Sequence, residues 1–139
     1  SISYQYRLWK SDALHRPLFE RHQVKLMERQ LNVAAMQEAT THFIGEMDYR
    51  AFATKAKVKS TIKTVEELVV HENENEVLIT ITANSFLLNM ERIIVGTLIQ
   101  VGLNELNAQM IPKAFTAFNE KYVGHKAMAG ALCLVDLGY

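Results

Sequence analysis

Residues Glu76–Gly102, EVLITITANSFLLNMERIIVGTLIQVG, change their hydrophobic period halfway along. Val77, Ile79, Ile81 and Ala83 alternate with Leu78, Thr80 and Thr82, which is the period of a strand. Beyond Asn84 the alternation stops and an almost wholly apolar stretch reads as a helix that ends at Gly102, a left-handed cap. Between Phe86 and Val101 the only charged residues are Glu91 and Arg92. Side chains three or four positions from Arg92 on a helix would be Leu88, Asn89, Val95 and Gly96, none of them acidic. A guanidinium on a buried helix is costly without a partner, so the partner must lie elsewhere in the chain or outside it. Gly96 costs about 1 kcal/mol relative to alanine in a helix, which predicts close backbone approach to the sheet.

Outward from this segment, Tyr4–Lys10 alternates around aromatic residues and suits a first strand. Ser11–Leu31 is polar and irregular, with Pro17 inside it, and reads as a loop. Asn32 is placed to cap a helix from about Val33 to Ile44, stopped by Gly45. Glu46–Lys59 reads as a connector. In the strand Ser60–Val70 the alternation slips near Val65, which predicts a bulge or burial on both sides. His71–Asn75 is a hairpin turn, Pro112 opens a short helix over Lys113–Glu120, and Ala131–Tyr139 forms a last strand. The order β-α-β-β-α-(α)-β predicts an α+β fold of the split βαβ, ferredoxin-like kind, with an antiparallel sheet and helices on one face.

The chain of 139 residues is expected to form one domain. Fifteen Lys and Arg balance fifteen Asp and Glu, so no global basic field marks nucleic acid, although a local patch can still serve. The single cysteine, Cys133, allows no disulfide within the chain, fits a reducing, cytoplasmic setting, and reads as inert core packing. No apolar run is long enough for a membrane span and no signal peptide is visible. The opening SISYQYRLW has no initiator Met and reads as a strand start, so the chain is expected to be a fragment.

His15, His22, His42, His71 and His125 have no metal-binding spacing, and neither a phosphate loop nor a serine nucleophile elbow is present. Asp48, between Met47 and Tyr49, reads as a carboxylate that anchors the MDYRAF loop. Lys55, Lys57, Lys59 and Lys63 form a basic stretch, either a solvated edge or a contact for a phosphate backbone. Tyr4, Tyr6 and Trp9 suit a sheet face, where one of them facing a groove could stack on a base.

Taken together, Tyr4-Gln5-Tyr6, GEMDYRAF (Gly45–Phe52), STIKTV (Ser60–Val65), Ala83–Gly102 and VGHKAMAGALCLVDLGY (Val123–Tyr139) carry a resemblance. The chain is similar, over nearly all its length, to the C-terminal half of the tRNA pseudouridine synthase A family. That family has a YxY strand, a GxHDFxAF-like segment, an xRTI strand, an ANxFLxHMVRNIVGTLxxVG helix and an AGxTAPxxGLxLxxVxY ending. The resemblance implies an isomerase, a homodimer when full-length, that converts uridine to pseudouridine in the anticodon stem-loop of tRNA. The base is detached from its ribose and rejoined through carbon 5, without a cofactor or metal. The family's essential aspartate lies in a GRTDxGVHA-like motif of its N-terminal half. This chain contains no such motif, so the isolated chain is expected to be inactive.

The same resemblance assigns Arg92 as partner of that aspartate, Tyr4 as the tyrosine beside the target base, and Leu132 as the aliphatic residue packing on the uracil. Lys59 and Lys63 are candidates for the RNA backbone. Some positions depart from the family pattern. Glu91 stands for Val or Ile, and an acid there would compete for Arg92 or reshape the pocket. Ile93 replaces the usual Asn and Asn89 the frequent His, while Lys126, Met128 and Ala131 depart from the closing motif. Two other readings suit the residues: a non-catalytic tRNA-binding relative, and a ferredoxin-like dimerisation module.

Overall fold

A computed structural model describes residues 1–13, 25–118, 120–127 and 132–137. The regular elements are β1 (Ile2–Trp9), β2 (Lys25–Leu26), α1 (Val33–Ala39), β3 (Gly45–Asp48), β4 (Ile62–Glu72), β5 (Glu76–Ala83), α2 (Met90–Gly102), α3 (Ile111–Ala117) and β6 (Leu132–Leu137). Strand β1 pairs antiparallel with β5 on one side and β6 on the other, β5 continues to β4, and β4 to β3. The fold is α+β, and β1, α1, β4, β5, α2 and β6 follow the expected chain order.

Strand β5 forms as its alternation predicts: Val77, Ile79, Ile81 and Ala83 are buried and their neighbours half-buried. Across it, Tyr4, Tyr6 and Leu8 of β1 stand opposite Ile81, Ile79 and Val77. On the other face Ser3 and Thr82 share a hydroxyl contact of 2.5 Å, and Arg7 grips Glu76. The slip near Val65 is a register shift between Val65 and Glu67, which returns Leu68 and Val70 to the core face. That face and the buried sides of α1 and α2 enclose one hydrophobic core.

Several expectations are corrected. The connector after Gly45 begins with a strand, β3, which pairs Gly45–Asp48 with Ile62–Val65. It is too short for a sequence period to show. The polar stretch after Ser11 contains β2, which runs parallel to β1; residues 14–24 lie outside the described residues. Asn32 does cap α1, its side chain accepting from the Ala35 N–H at 3.1 Å. The helix is shorter than predicted, because Thr40–Phe43 tightens into a 3₁₀ turn before Gly45 at φ +111°. A cluster of Phe43, Tyr49, Phe52 and Phe115 closes this end of the core. The buried Tyr49 hydroxyl lies 2.7 Å from the carbonyl oxygen of Phe43 and 2.9 Å from that of Gly45, so one proton serves both.

Gly102 is not a left-handed cap. It remains helical, and a Cβ there would come within 2.6 Å of the Met36 sulfur, so its role is to let α1 and α2 approach. The left-handed residue past the helix is Asn104, at φ 62°.

Candidate active site

Helix α2 begins at Met90, later than the apolar composition suggested, so Glu91 and Arg92 both lie in its first turn. Residues 85–87 are irregular and 88–89 form a turn, where Asn89 adopts a left-handed conformation, φ 61°, that asparagine tolerates. Arg92 is therefore half-buried at a helix end, not sunk in the middle of a buried helix.

Its contacts are specific. Arg92 Nε donates to the carbonyl of Ala127 at 2.8 Å, and the Ala127 N–H donates back to the Arg92 carbonyl at 3.0 Å. One terminal nitrogen stands 3.5 Å from Asn89 Oδ1, long for a hydrogen bond. Among the described residues no carboxylate lies within ion-pair distance of Arg92.

The strap that holds Arg92 is laced along α2. Gly124 N–H donates to Thr97 Oγ1 at 2.9 Å and His125 N–H to Gln100 Oε1 at 2.5 Å. A Cβ on Gly96 would come within 1.6 Å of the His125 carbonyl oxygen, and one on Gly124 within 2.5 Å of Thr97 Cα. The close approach predicted at Gly96 exists, but it is to this strap and not to the sheet.

Glu91 does not compete for Arg92 by contact. It is half-buried, and burial raises its carboxyl pKa, opposed by a bond from its own backbone N–H and by the Arg92 charge. An acid in the first turn also sits well against the positive end of the helix. Tyr4 is half-buried on the core face of β1, its ring edge-on to Phe86 with centroids 5.2 Å apart. Burial raises its hydroxyl pKa, and the negative charge of Glu91 adds to that. On the neighbouring strand the backbone of Leu132 stands opposite Tyr6, and that of Leu134 opposite Tyr4. The side chains of Leu132 and Cys133, and the residues 128–131, lie outside the described residues.

Beside the start of α2 opens a cleft of about 800 Å³ lined by Asp48, Arg50, Thr54, Lys55, Lys57, Lys59, Leu87 and Leu88 among others. Asn89 connects it to Arg92, because its amide also donates to Thr54 Oγ1 at 2.9 Å. The three lysines stand in the exposed loop that precedes β4. Lys63 lies apart from them within β4, opposite Met47, and does not line the cleft. Asp48 ends β3 and accepts from both the backbone and the guanidinium of Arg50, which holds its pKa below the usual carboxylate range. It thus anchors its loop as expected, and the anchor is an ion pair two residues away. Among the described residues no group of His, Cys, Asp and Glu could hold a metal ion, and no helix is long and apolar enough to cross a membrane.

Asn89 stands out in the sequence as a neighbour three positions before Arg92, but its left-handed backbone and its bond to Thr54 do not. The acceptor Ala127 is not legible there at all. Nothing local marks a backbone carbonyl.

An α+β domain with a guanidinium held at one edge and a basic cleft beside it defines a class of site suited to an anionic partner. The family model for tRNA pseudouridine synthase matches residues 39–139. A protein named tRNA pseudouridine synthase A 2 from Bacillus cereus is 36% identical over 138 residues, covering 99% of this chain and 56% of that protein. A tRNA pseudouridine synthase A from Ruminiclostridium cellulolyticum is 37% identical over 138 residues, covering 98% of this chain and 56% of the relative. A third, from Clostridium acetobutylicum, is 35% identical over 129 residues, covering 92% and 53%. This chain belongs to the tRNA pseudouridine synthase family. It spans little more than half the length of these relatives.

Proposed function

We propose that the chain is the C-terminal part of an enzyme that isomerises uridine to pseudouridine in the anticodon stem-loop of tRNA, without a cofactor. On this reading the nucleophilic aspartate belongs to the rest of the protein, the isolated chain is inactive, and the full-length protein is a cytoplasmic homodimer. The observation that carries it is Arg92: its Nε is fixed by Ala127, and among the described residues no acid pairs with it.

A guanidinium held at one edge has its remaining N–H groups to offer to a carboxylate. Such a pair lowers the carboxylate pKa and keeps it ionised for attack on the ribose carbon or the base. Tyr4 gives a flat face beside the target, and Leu132 an aliphatic one, so that the extruded uracil is held while it turns. Lys59 and Lys63 meet the phosphate backbone of the RNA.

The full-length protein, with its N-terminal part, should release tritium from carbon-5-labelled uridine in the anticodon stem-loop of tRNA. Arg92→Ala should then cost at least about a hundredfold in kcat, in line with loss of one preorganised electrostatic group, while the far-ultraviolet spectrum is retained. Normal turnover by Arg92→Ala sinks the assigned role. Binding without release by the native protein would point to a non-catalytic relative.

A further inference from the structure

Arg50 and Phe118 form an assembly that the site around Arg92 does not use. The Arg50 guanidinium is gripped by Asp48 through Nε at 2.9 Å and a terminal nitrogen at 2.6 Å. Its Cζ stands 4.2 Å from the centroid of the Phe118 ring. Asp48 thus holds one edge of the cation, which lies over the Phe118 ring. The Arg50 side chain is nevertheless 56% exposed and Phe118 38% exposed. Phe118 also has φ 51° and ψ 35°, the left-handed cap of α3, with its N–H donating to the Ala114 carbonyl at 3.1 Å. Glycine is the usual residue there, and a ring at such a position is a strained choice that points to function.

Arg50 lines the same cleft as Lys55, Lys57 and Lys59, and Asp48, the cleft's acid, is already paired with it. Asp48 occupies only the Nε edge of Arg50, and the remaining N–H groups can donate to an anion such as a phosphate. The exposed face of the cation in addition suits a flat π system, which an acidic peptide lacks. Three lysines alongside select phosphates. Together these two requirements describe a nucleotide in a single-stranded stretch.

We propose that Arg50, backed by Phe118, is a stacking subsite for an unpaired RNA base whose neighbouring phosphates lie along Lys55, Lys57 and Lys59. The subsite rests on the reading that the substrate is a structured RNA, and it deepens that reading by giving a second, non-reacting base a place outside the catalytic centre. Base stacking of this kind changes affinity about fivefold or more per base and is insensitive to sequence.

The test uses this chain and an RNA stem-loop carrying 2-aminopurine in its loop, with a fully paired duplex of the same sequence for comparison. Phe118→Gly removes the ring and relieves the left-handed backbone, so its melting temperature should be no lower than that of the native chain. It should bind the stem-loop at least about fivefold more weakly, lose the quenching of 2-aminopurine and keep the native salt dependence. Arg50→Lys, with its charge retained, should behave the same way. Duplex binding should be unchanged in both variants. Native affinity of both variants for the stem-loop, an equal loss on the duplex, or no binding by the native chain at low salt would overturn the subsite. Uridine isomerisation by the full-length protein is a separate readout. Isomerisation alongside variants that bind normally refutes the subsite alone, whereas a stacking signature without isomerisation refutes the enzyme reading alone.

Discussion

At Glu91, burial raises the carboxyl pKa more than the backbone N–H and the Arg92 charge lower it. The folded chain therefore holds the Glu91 proton more tightly than the unfolded chain does. The stabilisation that comes with protonation is fully present below the unfolded pKa, near pH 4, and is lost as the pH rises through the higher folded value. Glu91→Gln removes the buried charge but keeps the shape. Its melting temperature should exceed that of the native chain at pH 7, and the difference should vanish below about pH 4. A variant less stable than the native chain at pH 7 would show that the carboxylate has a partner. The residue type was conspicuous in the sequence, because charge is rare between Phe86 and Val101. Its surroundings were not legible, since nothing in the order of residues says that burial and its own helix end govern Glu91 more than Arg92 does.

Helix α2 and the strap of Gly124–Ala127 act as one element. Two glycines, Gly96 and Gly124, leave room for the contact, and the contact fixes the carbonyl that holds Arg92. Gly96→Ala should improve helix propensity by about 1 kcal/mol. The new methyl would meet a backbone carbonyl, not the end of a flexible side chain, and overpacking of that kind costs about 1–3 kcal/mol. The variant should melt several degrees lower than the native chain, and a melting temperature raised by the alanine would contradict the packing described. That Gly96 needs a close neighbour was legible from its cost inside a helix. Which backbone approaches was not, because the strap lies far along the chain.

Across the whole molecule, the sheet places Tyr4, the start of α2 and strand β6 at one region, and the loop before β4 adds a basic cleft beside it. The chain is electrically neutral, so any affinity for RNA must be local. We expect this chain alone to bind an RNA stem-loop without isomerising uridine, with affinity that falls as salt rises. Lys59→Ala should reduce the slope of log affinity against log salt by roughly 0.7–0.9, the loss of one phosphate contact. An unchanged slope would remove Lys59 from the interface. The same measurement on Lys63→Ala decides whether β4 takes part, since Lys63 stands outside the cleft.

By itself the sequence determined the long strands, the order of the main elements, the break in alternation near Val65 and the family. Each is written in a period of two or of about three and a half, or in a motif of adjacent residues, and needs no knowledge of distant contacts. Only the tertiary structure decided the rest: the short strands β2 and β3, the turn that delays α2 to Met90, the carbonyl of Ala127 against Arg92, and the ring of Phe118 over Arg50. Two-residue pairings and backbone acceptors carry no periodic signal. They form because packing of the core brings together residues that the chain keeps far apart.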